Sequence, residues 1–444
     1  MKYLFYSIVL PITLVMALFT APAQAQALQS TIKVGILSNQ ENVLISADTS
    51  FVILNGETGQ WLTQLAAGEK ATITRKGKTI TINGKLVEAE RFSILTIQFN
   101  GEHYIEVNKK QYRDHIDIHP TNGKTGLTIV NTLPIEHYLY GVIAKEMSPG
   151  WHIEALKAQA VAARTYALYN LNKHQGDDYD VCATTDCQVY GGRESEVPQV
   201  IKAVDDTAGQ VIMAQDKVIP AYFHSSSGGY TENSENVWGT TYESYLRGVV
   251  DYDQNSPQYK WEKKLTANEL KTAINKAGCT IGTLKVIELA PLTKQPMSTP
   301  ERGVSGRVKI IQLIGSTGSA QLTGEQLRGI LGLKSTLFDI RVMGPAKRVV
   351  ESDINKNIGK LKTVKSNVPP IREQGFITDK TKIHKMSGSP DETIVISGFG
   401  FGHGLGLSQW GAKAMAEQGP QDDPTYFQEI LKHYYQGATI KKVF

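Results

Sequence analysis

The chain has 444 residues with 47 basic and 43 acidic side chains, and a net charge of +4 gives no strong overall attraction to nucleic acid. An apolar fraction of 41% against 20% charged residues excludes a mainly disordered chain. Three cysteines exclude a disulfide scaffold, the 40 glycines lack a Gly-X-Y period, and the length predicts about three domains.

Residues 1–25 predict a signal peptide. Lys2 supplies a basic start, Tyr3 to Leu18 is a mainly apolar run interrupted by Pro11, and Ala21-Pro22-Ala23-Gln24-Ala25 offers a small-residue cleavage pattern. Cleaved or kept as an anchor, the segment places the remainder outside the cytoplasm, secreted or in the cell envelope. Residues 27–120 follow as a β-rich region. Runs such as Ile32-Lys33-Val34-Gly35-Ile36 and Thr79-Ile80-Thr81-Ile82 alternate, with turns at Asn55-Gly56, Asn83-Gly84 and Asn100-Gly101. This region reads as a partner-binding module or as scaffold.

From 121 to 344 the pattern is mixed. Leu127 to Val130 predicts a strand. Pro134 opens a helix on which Ile135, Leu139, Val142, Ile143 and Glu146 share one face. A second helix is expected from Ile153 to Lys173, with alanines that admit close neighbours. Residues 345–390 read as a basic polar insertion or linker: Lys347 to Arg372 holds seven basic and two acidic residues, suited to a solvated loop or to an anionic cell-wall polymer. Residues 391–444 return to the core, with a strand at Thr393–Ile396 and a last helix near Tyr426–Tyr435. The expected fold class is α+β: an N-terminal all-β region, then a mixed core with a groove.

Glu146 carries the chemical signal. A carboxylate on an apolar stripe is pushed toward its protonated form, which is what a general acid for glycoside cleavage requires. The competing expectation is an ion pair with a cation such as Arg164, or a helix end that reaches solvent.

Gly398 to Leu407 has glycine at every even position, with Phe399, Phe401, His403 and Leu405 between them. This period of two predicts a strand with one bare face, forming a cleft wall that includes His403 or a tight strand crossing with His403 in the core. Gln409 and Trp410 can offer amide hydrogen bonds and sugar stacking, and Trp410 equally suits core packing. No phosphate-loop pattern and no H-E-x-x-H zinc-peptidase pair occurs. A serine hydrolase reading of Ser225-Ser226-Ser227 lacks the G-x-S-x-G elbow.

The run Asn131-Thr132-Leu133-Pro134-Ile135-Glu136-His137-Tyr138-Leu139-Tyr140-Gly141-Val142-Ile143-Ala144-Lys145-Glu146-Met147, with Glu154 to Tyr166, Gln188-Val189-Tyr190-Gly191-Gly192, Ser225 to Thr231, Tyr245 to Val249, Leu331 to Ser335 and Gly400 to Ala412, closely resembles the stage II sporulation protein D (SpoIID/LytB) family. The resemblance covers roughly residues 30 to 444, apart from the basic insertion. It implies either a lytic transglycosylase acting on peptide-free peptidoglycan strands or a non-catalytic, glycan-binding enhancer of a cell-wall amidase. On it, Glu146 matches the catalytic acid/base and Arg164 a position implicated in activity. A loop holding Tyr222, Ser226 and Ser227 is expected to line the glycan groove with His403 and Gln409. No cofactor is required. Some family members bind zinc near the Cys182/Cys187 position. Here a disulfide, a zinc site completed by His174 and possibly Asp186, or free thiols remain open, and Cys279 is expected to be a buried bystander.

Overall fold

The computed structural model describes residues 31–98, 102–239, 241–297, 299–343 and 382–444. The expected signal peptide, the Asn100-Gly101 turn and most of the expected basic insertion lie outside them. The architecture is mixed, as expected. Seven helices occur among the described residues: α1 (Ile135–Glu146), α2 (Ile153–Tyr169), α3 (Pro198–Asp206), α4 (Ala267–Lys276), α5 (Gly324–Leu331), α6 (Gln409–Gln418) and α7 (Phe427–Tyr434).

Residues 31–134 form the all-β region. A seven-stranded sheet runs from Val181–Cys182 through Thr31–Gln40, Leu127–Pro134, His115–Pro120, Phe92–Thr96 and Phe51–Asn55 to Trp61–Leu65. A six-stranded sheet centred on Asn42–Ala47 and Ala71–Lys76 accompanies it. The alternating runs become alternately buried strands, because one face of each sheet covers a core. Asn83 (φ 49°) and Gly84 (φ 78°) form the expected hairpin turn, whose two positive φ values match strand twist.

Leu127–Pro134 feeds directly into α1. Leu139, Val142 and Ile143 are fully buried, each contributing about 1.5–3 kcal/mol of burial. They belong to an apolar cluster extending from Ile32 through the alanines of α2 to Tyr435. The second helix stops at Tyr169 rather than Lys173: Asn170 caps it, and Asn172 at φ 67° turns the chain away. A second cluster, from Leu265 to Ile396, packs α4 and α5 on the sheets formed by residues 260–343 and 382–399. Thr266 and Thr323 begin these two helices with reciprocal capping boxes.

Candidate active site

Glu146 is the last residue of α1, where the buried stripe meets a cavity of about 590 Å3. Burial raises its pKa above the ordinary carboxylate value, and two donors oppose the shift by stabilising the anion: the Gln409 amide at 3.1 Å and the backbone N–H of Val189. The negative end of the helix dipole acts with burial. The carboxyl is therefore biased toward holding its proton while the groups that steady it after proton loss are already in place.

Those groups are positioned by local structure. The Tyr138 hydroxyl donates to Gln188 Oε1 at 3.1 Å, and the Tyr190 hydroxyl donates to Asn131 Oδ1 at 2.7 Å, clamping residues 188–190 beside α1. Gln409 begins α6 just after Ser408, whose hydroxyl caps the Gly411 N–H. Leu407–Ser408 pairs in parallel with Phe223–His224, carrying the Tyr222 segment to the opposite wall.

The glycine-alternating segment differs from its expected strand. The strand ends at Phe399, and Gly400, Gly402, Gly404 and Gly406 have φ of 72°, 115°, 87° and 64°. Alternation here reflects repeated left-handed turns, which L side chains resist, rather than a pleat. A Cβ on Gly404 would also collide with the Arg307 guanidinium. Phe401, Gly402 and His403 nonetheless line the cavity. The His403 ring donates from Nε2 to the Phe223 carbonyl (2.9 Å) and accepts the Leu405 N–H at Nδ1 (3.1 Å). Burial, with Arg307 nearby, pushes its pKa down to about 3. A neutral ring with both nitrogens engaged is wall, not acid or base. Its face lies 5.0 Å from Trp238, which packs at 5.4 Å from Tyr222.

Glu146, Tyr222, His403 and Gln409 thus meet at one cavity. Ser226 and Ser227 do not line it: they are fully buried and donate to Asp253 and Asp251, while Ser225 takes the lining position. Arg164 does not reach the cavity either, and it does not pair with Glu146. It is fully buried and grips Glu136 on α1, with Nε at 2.9 Å and Nη2 at 2.6 Å, and also donates to the Gln210 and Val204 carbonyls. Trp410 packs edge-on against Trp151 at 4.9 Å. Tyr166, Gln188 and Trp238 also line the cavity; the first two stand in the quoted family motifs without a site role, and Trp238 stands outside them.

Cys182 and Cys187 form no disulfide, their sulfurs 3.1 Å apart against the ~2.05 Å of that bond. His174, Cys182, Asp186 and Cys187 place their ligand atoms within 4.8 Å of one another. His174 Nε2 is 3.3 Å from Cys187 Sγ, and Asp186 Oδ2 is 3.9 and 3.8 Å from the two sulfurs. Pairing of Val181–Cys182 with Val34–Gly35 sets this cluster at the sheet edge, and Asp186 and Cys187 reach the cavity wall. Asp186 also accepts from Lys173 at 3.0 Å, which together with His174 lowers its pKa.

The family described as stage II sporulation protein matches residues 123–213, which contain Glu146, Arg164 and the cysteine pair. A domain of unknown function matches residues 239–351. An uncharacterized protein of Brachyspira hyodysenteriae is 32% identical over 345 residues, covering 78% of this chain and 76% of its own length. The amidase enhancer of Bacillus subtilis is 32% identical over 307 residues, 68% of this chain but 40% of the longer relative. Stage II sporulation protein D of Bacillus amyloliquefaciens is 30% identical over 332 residues, 70% of this chain and 76% of that protein. With that identity and coverage, and with Glu146 at the cavity those motifs build, the chain belongs to the stage II sporulation protein D family.

Proposed function

We propose that this protein has a cell-wall role as a lytic transglycosylase, cleaving peptide-free peptidoglycan strands between N-acetylmuramic acid and N-acetylglucosamine. The observation that carries the reading is the Glu146 carboxyl, held toward its protonated form at a cavity of about 590 Å3, within the size range of ligand sites. Glu146 gives its proton to the glycosidic oxygen as the bond from the muramic C1 breaks. The oxocarbenium-like C1 is attacked by the same sugar's 6-hydroxyl, whose proton returns to Glu146. The product is a 1,6-anhydro end, no water is consumed, and one carboxyl serves both proton transfers. The Gln409 amide and Val189 N–H steady the anion between them.

A hydrolase needs a second carboxylate to activate water or form a covalent intermediate. Among the described residues the other carboxylate on this wall is Asp186, which Lys173 and His174 already engage. His174, Cys182, Asp186 and Cys187 supply a donor set that suits zinc: tetrahedral bonds of about 2.0–2.3 Å imply ligand separations of about 3.3–3.8 Å, against 3.1 Å between the sulfurs, 3.3 Å from His174 to Cys187 and 3.8–3.9 Å from Asp186 to the sulfurs, with all four atoms within 4.8 Å. Four protein ligands make such a site a staple that fixes residues 174–187 against the cavity.

The relative named amidase enhancer favours a second reading, glycan binding without cleavage. Incubation with peptide-free strands in oxygen-18 water separates the three. Anhydro ends without label support the proposal. Labelled reducing ends make the protein a hydrolase. Intact strands, with faster turnover of an added amidase, make it an enhancer.

A further inference from the structure

A second cavity, of about 630 Å3, adjoins the first. Trp238 lines both, so its indole, 49% exposed, forms the partition between them. The second cavity is built from residues 235–239 on one side and, on the other, the strand Ile310–Gly315 with its preceding residues and the start of α5. Most of its wall falls in the region matched by a domain of unknown function.

Its charges are unequally satisfied. Glu235 is held bidentate by Arg247 at 2.6 and 2.7 Å, and Glu325 by Arg328 at 3.2 Å. Neither arginine lines the cavity. Glu232, behind the wall, is saturated by the backbone N–H groups of Asn233, Val304 and Ser305, the Ser305 hydroxyl and the Asn236 amide. Lys309 is the remaining cation. Half-buried on the wall, its ammonium makes no hydrogen bond or ion pair with any described residue. Burial lowers its pKa, opposed by Glu232, Glu301 and Glu235 at longer range. A partly desolvated cation without a contact partner is costly unless a ligand supplies the anion. The positive end of the α5 dipole lies on the same wall.

We propose that this second cavity is a carboxylate-reading subsite for the same polysaccharide, with the chain passing over the Trp238 face and Lys309 pairing with a sugar-borne carboxylate. This rests on the glycan reading above. A muramic acid freed of its peptide exposes a lactyl carboxylate, whereas a peptide-bearing one offers carboxylates only on the peptide. Lys309 would thus help the enzyme recognise stripped strands from the cavity next to the one where the bond is cut.

The test is calorimetric binding to the full exported chain carrying Glu146→Gln, which prevents turnover. Three ligands of equal length are compared: peptide-free peptidoglycan strands, peptide-bearing strands, and chitin oligosaccharides, which have the N-acetyl sugars but no carboxylate. The peptide-free strand is expected to bind about tenfold tighter than the chitin oligomer, the scale of a charge-assisted contact. Adding Lys309→Met should abolish that preference, and adding Lys309→Arg should retain most of it. An unchanged melting temperature for Lys309→Met shows that any loss is not unfolding. A preference for the peptide-bearing strand, lost in Lys309→Met, overturns the sugar-borne assignment. Equal binding of all three, or a preference that survives Lys309→Met, overturns the subsite and leaves the function of Glu146 intact. If no glycan binds, the proposed function falls with it.

Discussion

Arg164 offers the sharpest test of how the site is supported. It sits on α2, fully buried, and ties α1 through Glu136, α3 through the Val204 carbonyl, and the next strand through the Gln210 carbonyl. Glu136, 5% exposed, also accepts from the Gly209 N–H at 3.0 Å. Arg164→Ala leaves that carboxylate buried without its cation, a loss of about 3–5 kcal/mol. For a cooperative unit of this size each kcal/mol lowers Tm by about 2–4 °C, so a drop of about 6–20 °C is expected. Thermal unfolding followed by circular dichroism measures it. The double variant Arg164→Leu/Glu136→Leu should recover much of the loss, because both buried charges are then gone. If Arg164→Ala melts like the wild type yet fails to cleave glycan, the residue acts in the chemistry and this assignment is wrong.

The remaining predictions concern the cavity. The raised pKa of Glu146 means that the folded state binds its proton more tightly than the unfolded chain, so this group's contribution to stability falls as pH rises from about 4.5 through the folded value. Glu146→Gln should therefore gain stability relative to wild type across that window, as denaturant melts at several pH values will show. Wild-type cleavage should decline on the alkaline side through the same raised pKa. Purified protein should carry about one zinc by elemental analysis, and Cys182→Ser should lose it and melt lower. Gly404→Ala, at φ 87° and facing Arg307, should cost at least about 1–3 kcal/mol from backbone strain alone, measured by denaturant unfolding.

Much of this site is legible in the sequence because its signals are local. The stripe Leu139, Val142, Ile143, Glu146 shows a carboxyl at the edge of a core, since helix period alone sets which residues share a face. The Asn83-Gly84 turn is equally local. What escapes is set by residues far apart in the chain. Arg164 and Glu136 are 28 positions apart on neighbouring helices, and nothing in either helix names the partner. Ser226 and Ser227 look like groove residues until Asp253 and Asp251 claim their hydroxyls from more than twenty residues away. The glycine run misleads for another reason: period two is shared by pleated strands and by alternating left-handed turns, and only the dihedrals separate them. Trp238 and Lys309 gain meaning from a cavity closed by segments some seventy residues apart.

The central claim is that Glu146 alone moves the proton both ways. The most direct measurement is the mass of the fragments released from peptide-free strands by wild type and by Glu146→Gln, each shown to be folded and to bind the strand. Fragments with 1,6-anhydro ends from the wild type, and none from Glu146→Gln, are the predicted result. Anhydro fragments that persist in Glu146→Gln would contradict it.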